Sequence, residues 1–247
     1  MRRLIALALA CLIMAPAASA QSFSPGDREQ SRAQNRLGWE QMRGESYEQA
    51  VKHFQKAIAI DAEFEMPFYG LGRAHMALKQ YVSAISALTR CRDLYRALVG
   101  RQFSNQQEAQ RYRTNRITEI DEMIRQVQSG PQTIQAQDQL RQLQEQRRQM
   151  QDIIARGNHV TIDAAIPAWV SLSLGSAYFR SGQLADAERE YKATLEADKR
   201  SGEAHNNLAV VYLETGRIAE AEASLKDAKK AGFRVNPQLE QAIKKGQ

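Results

Sequence analysis

The sequence predicts an all-α fold, an α-solenoid of about four helix pairs interrupted by a long helical hairpin. Three observations carry this. Gln, Ala, Glu, Arg and Leu are abundant and aromatics make up only 7%, a composition rich in strong helix formers. Two stretches repeat themselves at a spacing of 34 residues. Apolar residues in those stretches recur three and four apart, as amphipathic helices require.

The N-terminus reads as a targeting segment. Arg2 and Arg3 precede an apolar run from Leu4 to Met14, and Pro16-Ala-Ala-Ser-Ala20 ends in a small-x-small pattern. Residues 1–20 are expected to be a bacterial-type signal peptide cleaved after Ala20, with 21–30 as a linker. The periplasm or cell envelope is then the destination. The apolar run is too short to stay as a membrane span. An uncleaved anchor, or lipidation at Cys11 in Ala8-Leu9-Ala10-Cys11, is the alternative. After cleavage one cysteine remains, Cys91, so no internal disulfide framework is expected. Cys91 reads as a small buried apolar residue.

Residues 31–98 hold the first two units. Leu37-Gly38, Tyr47, Ala50 and Phe54 return 34 residues later as Leu71-Gly72, Tyr81, Ala84 and Leu88, and Ala57 falls on Cys91. Residues 164–235 hold two more. Leu174-Gly175, Tyr178, Gly182, Ala187 and Tyr191 match Leu208-Ala209, Tyr212, Gly216, Ala221 and Leu225 at the same spacing. Small residues on each helix let two helix axes approach closely, and the larger residues a turn away fill the space around them.

Between the pairs, residues 99–163 form a Gln-, Arg- and Glu-rich insert. Ile117, Ile120, Ile124 and Val127 make one heptad-like seam, and Leu140, Leu143, Arg147, Met150 and Ile154 another. Ser129-Gly130-Pro131 breaks them. Ser104 or Asn105 is the expected cap of the first arm and Gly157 the end of the second. Each arm is then about 22 residues, or roughly 33 Å. Two packings are open. A coiled-coil hairpin packs on itself and projects from the repeats, or its seam, residues 105–156, joins two copies of the chain. The short break and matched arms favour the first; a third reading is a disordered segment. Residues 236–247 end the chain with a capping helix, Asn236-Pro237 suiting an N-cap and first helical position.

These residues resemble the tetratricopeptide repeat family, whose 34-residue unit carries Leu-Gly, Tyr, Ala and an aromatic at these places. Departures are Ala62, Arg96 and Lys199 for the late Pro, His75 for Tyr, and Gly44 one place early. The resemblance implies a superhelix whose first helices line a concave groove that binds peptides or helices. It places Asn35, Trp39, Met42 and Arg43 of the first unit on that groove, and Tyr69, Arg73 and Met76 of the second. It adds Trp169, Ser173, Ser176, Phe179 and Arg180 of the third, and Asn206, Asn207, Val210 and Glu214 of the fourth. Packing between helices is the competing role for Trp39, Trp169 and Phe179. The carboxylate clamp of the chaperone-binding class is not reproduced, since only Asn207 fits it.

No enzymatic pattern stands out. His53, His75, His159 and His205 lack metal-ligand spacing with one another or with Cys91, and no phosphate loop, nucleophile elbow or dinucleotide fingerprint is present. No catalytic residue, metal or cofactor is therefore expected. The formal charge of +6 is dispersed among acids, without the basic stripe of a nucleic-acid binder. The expectation is a non-catalytic envelope scaffold that binds partner proteins through peptide or helix segments. The rivals are a coiled-coil homo-oligomer and a cell-wall accessory factor.

Overall fold

The computed structural model describes residues 25–100, 102–103, 105–130, 134–156 and 165–246. The expected signal peptide, Cys11, Ser104, Pro131, Gly157 and His159 lie outside them. Eleven helices and no strand occur among the described residues. They are α1 (Pro25–Arg43), α2 (Tyr47–Ile60), α3 (Glu65–Ala77), α4 (Tyr81–Leu98), α5 (Gln106–Ser129), α6 (Ile134–Arg156), α7 (Ala168–Arg180), α8 (Leu184–Ala197), α9 (Gly202–Glu214), α10 (Ile218–Lys230) and α11 (Pro237–Lys245).

Each unit is an antiparallel pair: α1 with α2, α3 with α4, α7 with α8 and α9 with α10. Inside a pair a small residue on the first helix receives a large one from the second. A Cβ added at Gly38 would lie 2.5 Å from the Phe54 ring, one at Gly72 2.5 Å from Leu88, and one at Gly175 2.7 Å from Tyr191. These distances are below van der Waals contact, so the pairs need glycine. The turn between the helices needs a left-handed residue. Gly182 and Gly216 supply it in the last two units, at φ +80° and +72°. In the first two units Glu45 and Lys79 take the same place, at φ 55° and 58°. The turn geometry therefore survives the early Gly44, at the cost of a strained non-glycine residue.

Successive units stack in the same manner throughout: α2 on α3, α4 on α7, and α8 on α9. The stack thus passes from α4 to α7 as though the insert were absent. Arg92 Nη1 on α4 reaches Glu190 Oε1 on α8 at 2.5 Å across that junction. A single buried cluster runs from Phe64 and Leu88 to Val170 and Leu174. Asn236 Oδ1 accepts from the Gln238 N–H at 2.9 Å and caps α11, whose Ile243 closes the last unit's core.

Cys91 is 0% exposed, and burial pushes its thiol well above the ordinary range, with the Glu65 charge adding to the effect. Its thiolate is therefore suppressed. We expect alkylation at pH 8 to run at least ~100-fold slower in the native chain than in urea. Equal rates would mean that α4 opens readily and that this core is loose.

Candidate functional site

The first helices α1, α3, α7 and α9 stand side by side and form the inner face of the stack. Three aromatic rings follow one another along it, and Tyr95 of α4 ends the row. Trp39 meets Tyr69 at 6.0 Å, Tyr69 meets Trp169 edge-on at 4.4 Å, and Trp169 meets Tyr95 at 5.8 Å. Trp39 also stands edge-on to Phe54 at 5.6 Å. These rings chiefly pack unit on unit. Tyr69 and Trp169 are buried, and so is Asn35 at 2% exposure. This differs from the expectation for Asn35 and Tyr69, whose side chains are covered by neighbouring helices instead of lying open. Trp39 is half-buried, as is Met76, which packs on the first core, and Phe179 packs on the second.

The polar groove residues gather at α3, α7 and α9. Arg73 is exposed and donates from Nη1 to the Tyr69 hydroxyl at 3.0 Å, and Ser173 Oγ lies 3.5 Å from that hydroxyl. The Tyr69 oxygen raises the Arg73 pKa above its ordinary value. Opposite, burial pushes the Glu203 carboxyl up while Arg73 opposes the shift. Ser176 Oγ donates to the Leu172 carbonyl at 3.0 Å and receives the Tyr191 hydroxyl at 3.4 Å. Asn206 Nδ2 donates to Asn207 Oδ1 at 3.4 Å. Arg180 and Arg43 are exposed at the ends of α7 and α1. The buried Asn206 Oδ1 and the indole N–H groups of Trp39 and Trp169 have no hydrogen-bond partner in the structure. Such groups normally find a water or a ligand. Among the described residues no His, Cys, Asp and Glu cluster could hold a metal.

The insert meets the repeats through side chains on α1, Glu65, Tyr95 and Asp198. α5 and α6 pack on each other, and Arg147 Nε meets Asp121 Oδ1 at 2.6 Å. The hairpin does not project, however. Arg28, Arg32 and Arg36 lie at successive i, i+4 positions of α1 and so share one face. Arg32 Nη2 donates to Glu119 Oε1 at 3.2 Å and to the Asn115 carbonyl at 3.3 Å. Arg36 Nη1 donates to Glu122 Oε1 at 2.9 Å. Arg28 pairs with Asp61 and lies 3.5 Å from Glu119. In return Arg116 of α5 enters the repeats. Its Nη1 meets Glu65 Oε1 at 2.5 Å and Glu119 Oε2 at 3.0 Å, and its Nη2 donates to the Tyr95 hydroxyl at 2.6 Å. On the second arm, Gln142 Nε2 reaches Asp198 Oδ2 at 2.5 Å. Asp61, Tyr95 and Asp198 occupy the same place in three successive units, so the hairpin follows one edge of the stack.

Sequence reasoning missed Arg28, Arg32, Arg36, Arg116, Glu119 and Glu122. Their signal was the i, i+4 arginine ladder on α1 and two carboxylates three residues apart beside the Ile117–Val127 seam. Polar residues beside a seam read as solvated, yet Arg116, Glu119 and Glu122 are buried.

Tetratricopeptide repeat models match residues 31–64 and 172–232. No curated protein matches the chain. Similar solved structures include PilW, a widely conserved type IV pilus biogenesis factor, with 18% identity, 88% of this chain and 86% of that one covered, and a TM-score of 0.41. TTC0263 of Thermus thermophilus, a thermophilic protein of this repeat class, has 19% identity, 87% and 98% coverage and a TM-score of 0.35. YrrB, a repeat protein with an unusual peptide-binding site, has 16% identity, 92% and 100% coverage and a TM-score of 0.30.

Proposed function

The chain belongs to the tetratricopeptide repeat family, and from that premise we propose that it is a non-catalytic scaffold whose inner face at α3, α7 and α9 binds a segment of a partner protein. One observation carries this reading. Exposed Arg73 and Arg180 flank part-exposed Ser173, Ser176, Asn206 and Asn207 on three adjacent first helices, and the buried Asn206 oxygen is left without a partner. The arginines suit carboxylates, and the hydroxyls and amides suit the backbone of an extended or helical segment. The composition of residues 1–20 supports export to the periplasm or envelope, where the partner would also reside. No helix among the described residues is long and apolar enough to cross a membrane.

Photoreactive residues placed at Arg73 and at Arg180 are expected to capture the same envelope protein. One at Val82, which is 79% exposed on α4 and outside the groove, should not. Arg73→Ala should then weaken binding of the captured protein about 10- to 100-fold, the loss of one charged hydrogen-bond set. Capture from Val82 or from the hairpin, with none from the groove, would overturn the placement.

A further inference from the structure

The ion pairs between α1 and α5 describe a binding site that is already occupied. We infer that the basic face of α1, together with the Glu65 and Tyr95 notch, is a site for an amphipathic helix bearing Arg-x-x-Glu-x-x-Glu on one side, and that α5 fills it as a ligand supplied by the chain itself. The motif is Arg116, Glu119 and Glu122, whose i, i+3 spacing brings them onto one side of the helix. This site uses different residues from the one proposed for the partner, and stands or falls separately from it.

Three features set α5 apart from an ordinary core helix. First, its backbone packs closely only against α6, and it meets the repeats through long side chains. Second, the contact joins buried ion pairs to apolar burial. Glu119 and Glu65 are each 4% exposed and are held by arginines, while Ile120 and Met123 of α5 and Leu143 of α6 enter the core of the repeats. A permanent core position gains nothing from ion pairs that aliphatic residues of similar volume would match or exceed. A ligand does gain, because directional charge pairs set register and reject helices of the wrong sign. Third, the stack is complete without the hairpin, since α4 and α7 pack directly. Departure of α5 is therefore expected to uncover the basic face of α1 and leave the units stacked, while exposing the part of the core that Ile120 and Met123 cover. The site opens to an outside helix of the same chemistry only when α5 leaves it.

The test uses the full chain and a fluorescent peptide of residues 106–129. In the wild type the tethered α5 competes at high effective concentration. The variant Glu119→Arg/Glu122→Arg repels its own α5 from α1 and vacates the site. That variant should bind the peptide about 100-fold more tightly than the wild type. Arg32→Glu/Arg36→Glu in the otherwise unaltered chain also repels its own α5, and should abolish binding of the natural peptide while giving binding of a peptide with the two glutamates changed to arginine. Equal binding to wild type and variant, or no binding to a variant whose circular dichroism is native, would overturn the inference. So would a wild-type dimer that the variant dissolves, because α5 would then come from a second copy. Hydrogen exchange of the unaltered chain gives a readout independent of variant folding. Amides of α5 and α6 should open together while α3, α4 and α7 stay protected. Hairpin amides that exchange only as slowly as the repeats would show α5 to be fixed core, and would sink the proposal.

Discussion

Arg116→Met is expected to cost the docked chain about 3–5 kcal/mol, the penalty for leaving a buried charge without its partner. The cost is not shared equally between the two carboxylates that Arg116 serves. Glu119 keeps Arg32 at 3.2 Å and Arg28 at 3.5 Å, whereas Glu65 loses its ion pair at 2.5 Å. Methionine retains the apolar stem, so packing changes little. The penalty should therefore sit on Glu65, and adding Glu65→Gln should recover more than half of it. Acidity should recover it as well. Burial, reinforced by the Glu119 charge, already holds the Glu65 carboxyl above the usual carboxylate range. An acid whose folded pKa is raised takes up a proton on folding. Its destabilising effect is full above the folded pKa and fades as the pH falls towards the unfolded value. Urea unfolding should thus show a large Arg116→Met deficit at pH 7 that shrinks near pH 4. Hydrogen exchange should place the loss in α5 and α6, with amides there exchanging two or more orders of magnitude faster. A deficit under 1 kcal/mol, or one that Glu65→Gln leaves unchanged, would show that the guanidinium is not what holds Glu65 in the core.

The repeats were legible in the sequence because their packing is local and periodic. Gly72 and Leu88, or Gly175 and Tyr191, sit 16 residues apart in one helix pair, and the pair is copied. Self-similarity exposes such contacts without any knowledge of tertiary structure. The left-handed turn residue was only half legible: Gly182 and Gly216 announce it, while Glu45 and Lys79 adopt it against their intrinsic preference. The hairpin's docking was not legible at all. Arg32 and Glu119 are 87 residues apart, and the contact is written once, in side chains that composition alone assigns to water. The same blindness affected the groove. The family resemblance puts Asn35 and Tyr69 on the inner face, but only the packed structure covers them and leaves Arg73, Arg180 and the paired asparagines accessible. A charge ladder such as Arg28, Arg32 and Arg36, which Glu29 alone answers among the ion pairs within α1, is a sign that carboxylates distant in sequence complete it.

Phe54→Ala is expected to be as damaging as the loss of Arg116, for a reason confined to packing. The ring is fully buried, and Phe-to-Ala changes at such sites cost about 3–5 kcal/mol through lost transfer energy and the cavity left behind. Phe54 also joins two units. A Cβ at Gly38 on α1 would lie 2.5 Å from its ring, and one at Gly70 on α3 would lie 2.3 Å from it. The ring is thus held between the backbones of successive first helices, with Trp39 edge-on at 5.6 Å. Gly70→Ala consequently has no direction in which to push the ring, and should cost about 1–3 kcal/mol by overpacking. Combined with Phe54→Leu, which removes the far edge of the ring, the alanine methyl gains room. The double variant should therefore be less damaged than the sum of the singles, by about 1–2 kcal/mol of coupling in a urea-unfolding cycle. Among the glycines Leu88 of the next unit crowds Gly72 alone, so the matching Gly72 and Leu88 cycle reports on one helix pair. Additive costs at Phe54 and Gly70 would mean that the two helices can separate to admit a methyl group, and that the first unit is not pinned to the second by this ring.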